Sequence, residues 1–272
     1  MKLGLLVSLT ATPDIAEKLK SVHDLGFTSC QITCWDMSLY TDEMAARIRD
    51  ALDTYGITVS TLWCGWSGRK KWNFYDGQLT LGLVPEAYRA QRIEELKRGS
   101  DFAKKLGVAQ IATHAGFLPE NPYSEQYHGV ICALREVAEH VKKNGQLFLF
   151  ETGQETPTTL LRAIEDVGTD NLGINLDPAN FILYGKANPV DALDTLGAFV
   201  RDVHAKDGLY PTNGRELGRE TPLGEGKVNI PALIVKLKSL GYDGPITIER
   251  EISGEQQIAD IKAGKLLLEQ YI

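Results

Sequence analysis

Apolar runs of strand length alternate with helix-length stretches from one end of this chain to the other. Lys2 to Ser8 is strand-like, Pro13 to Leu25 helical, and Gly26 a helix stop. Ser29 to Thr33 is a second strand; Thr41 caps a helix over Asp42 to Tyr55 that ends at Gly56. Thr58 to Cys64 is a β-branched third strand. A long polar and aromatic loop, Gly65 to Val84, leads to a helix over Pro85 to Leu106 and a fourth strand, Val108 to Thr113. The remaining helices are read over Ser124 to Lys143, Pro157 to Val167, Pro189 to Leu196, Pro231 to Leu240 and Glu255 to Tyr271. The remaining strands are Leu147 to Phe150, Leu172 to Leu176, Phe199 to Val203 and Pro245 to Ile248, with a glycine-rich loop from Gly208 to Val228.

Strict alternation requires right-handed crossovers and a parallel sheet. Eight such units in about 250 residues close as a (β/α)8 TIM barrel. A doubly wound open sheet is the alternative, but no glycine-rich dinucleotide or phosphate-loop fingerprint follows the first strand. Low-complexity and linker segments are absent, so one barrel domain over residues 1–272 is expected.

The strand-forming run at Leu147 to Phe150 is apolar on both faces yet ends on Glu151. The pattern recurs at Asp177, His204 and Glu249, closing the sixth, seventh and eighth strands. In a parallel barrel these ends share one side of the mouth, where active sites form. Two carboxylates about 4 Å apart repel by roughly 4 kcal/mol at an effective dielectric of about 20. Three such pairs rival the roughly 5–15 kcal/mol stability of a domain. Either some carboxyls are protonated or a cation lies among them. Three oxygens and one imidazole suit Mn²⁺, Mg²⁺ or Co²⁺, whereas Zn²⁺ prefers more nitrogen or sulfur. The rival account pairs the four groups with Lys206, Arg201 or Arg250.

The segments FETGQE, NLDPAN, VHAKD and TIERE, with Pro222 to Leu233 (PLGEGKVNIPAL), resemble the sugar phosphate isomerase/epimerase family, which has the xylose isomerase-like barrel. The likeness covers essentially the whole chain. It implies that Glu151, Asp177, His204 and Glu249 are the four metal ligands, with Mn²⁺ or Mg²⁺ favoured. It also implies that Glu151 and Glu249 are the acid/base pair. The chain departs from the ketose 3-epimerase branch at Asn180, where that branch carries a histidine. Its arginine after the strand-seven histidine also has no clear match; Lys206 and Asp207 follow instead.

Other polar and aromatic residues cluster near the strand ends. His114 closes strand four and is a candidate donor to a substrate oxygen. Asn180 and Lys206 are candidates for substrate hydroxyls. Glu155 orients a ligand, binds a hydroxyl or caps a helix. Trp35, Trp63 and Trp66 follow strands two and three, where aromatic faces suit sugar C–H groups; Trp35 and Trp66 are the expected substrate contacts, with at least one aromatic left to core packing. Arg69, Lys70 and Lys71 read as a solvated loop. His23, His128 and His140 read as surface residues of helices.

The expected function is a divalent-metal-dependent isomerase or epimerase of a keto- or aldo-sugar, with proton transfer through an enediolate. The runner-up is a lyase of the same family, an inosose-type dehydratase or an enzyme of elimination from a 3-keto-glycoside. An apurinic-site endonuclease needs a histidine-rich zinc cluster and a basic face; five histidines and a net charge of −7 oppose it and nucleic-acid binding generally. A non-catalytic sugar-binding barrel is the remaining alternative. No apolar run reaches the roughly 20 residues of a membrane span. Leu3 to Leu9 reads as a strand and not a signal peptide. Cys30, Cys34, Cys64 and Cys132 lack zinc spacing and suit a reduced cytoplasmic protein. The partner is a small carbohydrate; the resemblance also allows a homo-oligomer.

Overall fold

The computed structural model describes residues 1–12 and 14–272. Eight strands run parallel: β1 (Lys2–Leu9), β2 (Ser29–Cys34), β3 (Thr58–Cys64), β4 (Gln110–Thr113), β5 (Leu147–Glu151), β6 (Leu172–Leu176), β7 (Val200–Ala205) and β10 (Pro245–Ile248). They close into a barrel in the order β1, β10, β7, β6, β5, β4, β3, β2. The main outer helices are α1 (Ile15–Asp24), α2 (Asp42–Tyr55), α4 (Glu86–Lys105), α5 (Glu125–Lys143), α6 (Pro157–Val167), α8 (Pro189–Leu196), α9 (Ile230–Ser239) and α10 (Glu255–Leu268). The closed (β/α)8 barrel expected from alternation is therefore the fold. The expected start of the first helix at Pro13 lies outside the described residues.

Local signals act as the sequence implies. Thr41 and Ser124 each accept an N–H of the first turn of their helix, and Gly56 ends α2 in the left-handed conformation at φ 62°. The apolar core lies between the strands' outer faces and the helices, with Ile48, Leu62, Phe102, Leu134, Phe148 and Ile174 fully or almost fully buried. No helix among the described residues is long and apolar enough to cross a membrane.

Among the described residues, several elements go beyond the eight-unit pattern. A one-turn helix, α3 (Gly77–Thr80), lies within the 65–84 loop, where Asn73 Oδ1 accepts the backbone N–H groups of Tyr75, Asp76 and Gly77. A second short helix, α7 (Pro178–Leu183), starts directly after β6 on a capping Asp177 with Pro178 in its first turn. Within the 208–228 loop, β8 (Asp207–Leu209) pairs antiparallel with β9 (Arg219–Thr221). Asp207 folds that loop back by accepting from the backbone N–H groups of Gly208, Gly224, Gly226 and Val228.

The two long loops meet. Phe74 N donates to Arg215 O at 3.1 Å, joining the 65–84 and 208–228 segments above the mouth. Arg92, 1% exposed, anchors the first of them by donating to the carbonyls of Gly82, Ser67 and Arg69.

Two irregularities shape the barrel interior. Between β2 and β3 the register slips, so that Ser60 and Thr61 together stand opposite Gln31. Between β6 and β7 a second slip leaves Arg201 as the extra residue. Such bulges re-aim side chains that would otherwise alternate between faces. Ser60 and Thr61, adjacent in sequence, both donate to Asp202 Oδ2 at 2.7 Å as a result.

Candidate metal centre

Glu151 is the last residue of β5, Asp177 follows β6, His204 is the penultimate residue of β7, and Glu249 follows β10. These strands are consecutive around the barrel, so the four groups meet on one side of the mouth. One ligand atom from each lies within 4.8 Å of all the others. His204 Nδ1 is 3.0 Å from Glu249 Oε2, 3.6 Å from Asp177 Oδ2 and 3.8 Å from Glu151 Oε1.

Each group is aimed by its local structure. Asp177 spends Oδ1 on the cap of α7, accepting Asn180 N at 2.9 Å, which leaves Oδ2 facing the cluster. Thr152 locks the Asp177 backbone through its hydroxyl, and Glu249 N donates to Ala205 O, extending the ladder past β10. Glu151 receives three side-chain donors: Trp63 Nε1 and Asn175 Nδ2 at Oε2, and Asn180 Nδ2 at Oε1. His204 Nε2 meets Gln31 Oε1 at 2.7 Å.

The electrostatics are those of a crowded acidic pocket. Burial raises the Glu151 carboxyl to about 8, against the pull of His204 and with Glu249 and Asp177 adding to the rise. Burial also works to raise Glu249, but Lys206 and His204 overcome it and hold that carboxyl well below its usual range. Burial would lower His204 and Lys206; the surrounding carboxylates instead hold both well above their ordinary values.

The donor set fits a hard divalent cation. Asp177 Oδ2 and His204 Nδ1 are both buried without a hydrogen-bond partner, and both face the common centre. Buried polar atoms are rarely left so. Lys206, a protonated His204 and the proton on Glu151 together balance the carboxylates, and a divalent ion would displace the latter two protons. Lys206 Nζ reaches Glu249 at 3.2 Å and Asp177 at 3.5 Å, but also serves Glu251 at 3.1 Å. Arg250 is engaged by Glu220 and Asp260, and Arg201 donates to the carbonyls of Ala198 and Val200.

A cavity of about 490 Å³ opens above the cluster. Its wall includes Glu151, His204 and Glu249, together with His114, Asn180, Lys206 and Trp35. Burial lowers His114 to about 4, and its ring edges onto Trp63 and Trp72 at 5.6 and 5.5 Å. Asn180 shows the cavity an amide whose nitrogen is occupied by Glu151 and Thr152 O.

Two expected substrate contacts stand elsewhere. Trp66 is 1% exposed and off the cavity wall; it packs beneath Trp35 and Trp63 and over the Arg92 guanidinium, 5.2 Å from its ring. Trp63 and Trp72 take the wall position beside Trp35. Glu155 also lies off the wall, and the helix cap considered for it belongs to Thr156. Its two carboxylate oxygens are buried without a hydrogen-bond partner.

The residues that sequence reasoning passes over form a layer just inside the four ligands. Asn175, Asp202 and Thr247 precede Asp177, His204 and Glu249 by two positions each. A strand's side chains repeat every second residue, so these point into the barrel one step deeper. Polar residues where bulky apolar ones usually fill a barrel are the available signal.

The xylose isomerase-like TIM barrel family model matches residues 19–271. A xylose isomerase domain protein from Planctomyces limnophilus has a similar structure, with TM-score 0.91 and 36% identity over 99% of this chain and 96% of its own. A D-tagatose 3-epimerase-like protein matches at TM-score 0.76 and 22% identity, over 100% and 97% of the two chains. The probable 3-DHS dehydratase AsbF of Bacillus anthracis matches at TM-score 0.73 and 20% identity, over 99% of each. The last two likenesses are of fold.

Proposed function

This chain belongs to the xylose isomerase-like TIM barrel family, and from that premise we propose that it is a divalent-metal-dependent sugar isomerase or epimerase. The supporting observation is the convergence of three carboxylates and one imidazole within 4.8 Å, beneath a cavity walled by aromatic rings. Glu151, Asp177, His204 and Glu249 would hold the ion, and the oxygen-rich set favours Mn²⁺ or Mg²⁺. A bound divalent ion supplies Lewis-acid polarisation of a carbonyl, easing removal of the proton on the adjacent carbon.

The chain's own groups supply the proton transfer. Glu151 and Glu249 are the acid/base pair, one taking the proton as a carboxylate and the other, starting protonated, delivering one. Trp63, Asn175 and Asn180 fix the Glu151 carboxylate, so its free lone pairs face the cavity. Lys206 is the donor available to substrate hydroxyls at the wall; His114 gives its Nδ1 proton to the Glu151 carbonyl, which leaves Nε2 as an acceptor. Trp35, Trp63 and Trp72 offer ring faces to C–H groups and keep water from the reacting carbon. The substrate in this reading is a small keto- or aldo-sugar.

The test is solvent deuterium uptake into a panel of keto-sugars by Mn²⁺-loaded protein. Exchange at the carbon next to the carbonyl is expected; no exchange across the panel refutes the reading. Lys206, a buried ammonium in the same wall, favours a second reading, a lyase in which it receives a departing oxygen. An unsaturated product in place of an isomer distinguishes the two.

A further inference from the structure

Inside the barrel, one layer below the cluster, a chain of amides meets the only ring among the four candidate ligands. Gln31, fully buried on β2, has its amide oxygen 2.7 Å from His204 Nε2. Its amide nitrogen donates to Asn175 Oδ1 at 3.3 Å. That contact fixes which way the amide faces. Asn175 gives its own Nδ2 to Glu151 Oε2 at 3.3 Å, which leaves Oδ1 toward Gln31. An amide oxygen only accepts, so it takes the NH₂ end of Gln31, and the carbonyl end is turned to His204.

A carbonyl oxygen only accepts, so the proton of the neutral imidazole belongs on Nε2. Nδ1 then keeps its lone pair, and Nδ1 is the buried atom without a hydrogen-bond partner that faces Asp177, Glu151 and Glu249. Asn175 Nδ2, 3.1 Å from the same Nε2, is held by Glu151 on its other side.

We propose that Gln31 is the positioning residue of this centre: its carbonyl fixes the ring and tautomer of His204 so that Nδ1 is presented to a divalent cation. The arrangement does the work of the carboxylate that commonly backs a metal-bound histidine, with an uncharged acceptor. Asn175, held in turn by Glu151, is the orienting group of Gln31. This inference rests on the metal-centre reading above, and the test separates them.

Mn²⁺ affinity is measured for the wild-type protein, Gln31→Met and Gln31→Glu, by the electron paramagnetic resonance signal of the free ion. Gln31→Met keeps the length of the side chain and removes the acceptor; Gln31→Glu keeps an acceptor. A weakening of about 10- to 100-fold in Q31M, with Q31E within about threefold of wild type or tighter, is expected. Equal affinity in wild type and Q31M overturns the role of Gln31 and leaves the metal centre standing. Absence of Mn²⁺ binding in wild type overturns the centre and this inference with it. A second measurement needs no variant: long-range ¹⁵N–¹H correlation of the Mg²⁺-loaded wild type. Protonated Nε2 and unprotonated Nδ1 at His204 are expected; the reverse tautomer refutes the proposal even if both variants fold poorly.

Discussion

The indole N–H of Trp63 is hydrogen-bonded to Glu151 Oε2, so the end of β3 and the end of β5 are joined across β4 by a single side-chain contact. The partner is a buried carboxylate, and hydrogen bonds to charged groups contribute about 1.5–3 kcal/mol. Trp63→Phe keeps an aromatic wall and removes only the donor. A fall in kcat/KM of about 10- to 100-fold is expected in the deuterium-uptake assay, together with a lower melting temperature. A W63F protein with unaltered exchange kinetics would show that this contact does not set the Glu151 geometry.

Ion binding is expected to show in stability as well. Mn²⁺ at about 100 times its dissociation constant should add roughly 2.7 kcal/mol and raise Tm. Asp177→Asn and Glu249→Gln should lose most of that gain, and chelator should reverse it in the wild type. Calorimetric scans with and without Mn²⁺ check this; an unchanged Tm on adding Mn²⁺ counts against a binding site.

Glu155 makes stability depend on pH in the less common direction for a carboxyl. Burial raises it from 4.5 to about 8, and its backbone surroundings and Lys186 offset only part of the rise. The folded state holds the proton that the unfolded chain releases, so the contribution is complete below about pH 4.5 and is lost as pH rises to about 8. Each tenfold difference in proton affinity between the two states is worth about 1.4 kcal/mol, which makes the whole effect on the order of 5 kcal/mol. Glu155→Gln should therefore melt later than wild type at about pH 8.5 and show no advantage at about pH 4.5. Urea titrations at the two values measure the difference.

Arg92 holds the 65–84 loop through three carbonyls, and its guanidinium stacks between Trp66 and Tyr88. Arg92→Leu leaves those carbonyls without their donor, the Gly82 carbonyl at a buried contact, at a cost of about 3 kcal/mol. A Tm lower by on the order of 6–12 °C is expected, and early proteolysis within residues 65–84 should accompany it. A melting curve unchanged from wild type would remove Arg92 as the anchor.

The barrel itself is legible in the chain because its signals are local and repeated. Capping residues, glycine stops and apolar runs mark each unit, and alternation dictates the topology. The four strand ends are legible for a related reason: an ionisable group where a buried run stops is conspicuous. Trp66 departs from its expected place because order in the chain does not reveal which of several neighbouring rings turns inward; Arg92, 26 residues away, draws Trp66 down. Glu155 resembles a cap or a ligand, yet Thr156 takes the cap. The α7 helix escapes notice although Asp177 and Pro178 form a capped start, because Asp177 reads first as chemistry; one oxygen serves each purpose. Gln31 and His204 cannot be paired from the chain alone. Their meeting depends on two strands separated by about 170 residues, which no local pattern announces.

The amide link between Phe74 and Arg215 turns two separate arms into one bridge over part of the mouth. Arg250 to Ile252 and Gln257 form another bank of the same hollow. Bulk grafted onto that bank would throttle turnover while leaving every charged group beneath it untouched.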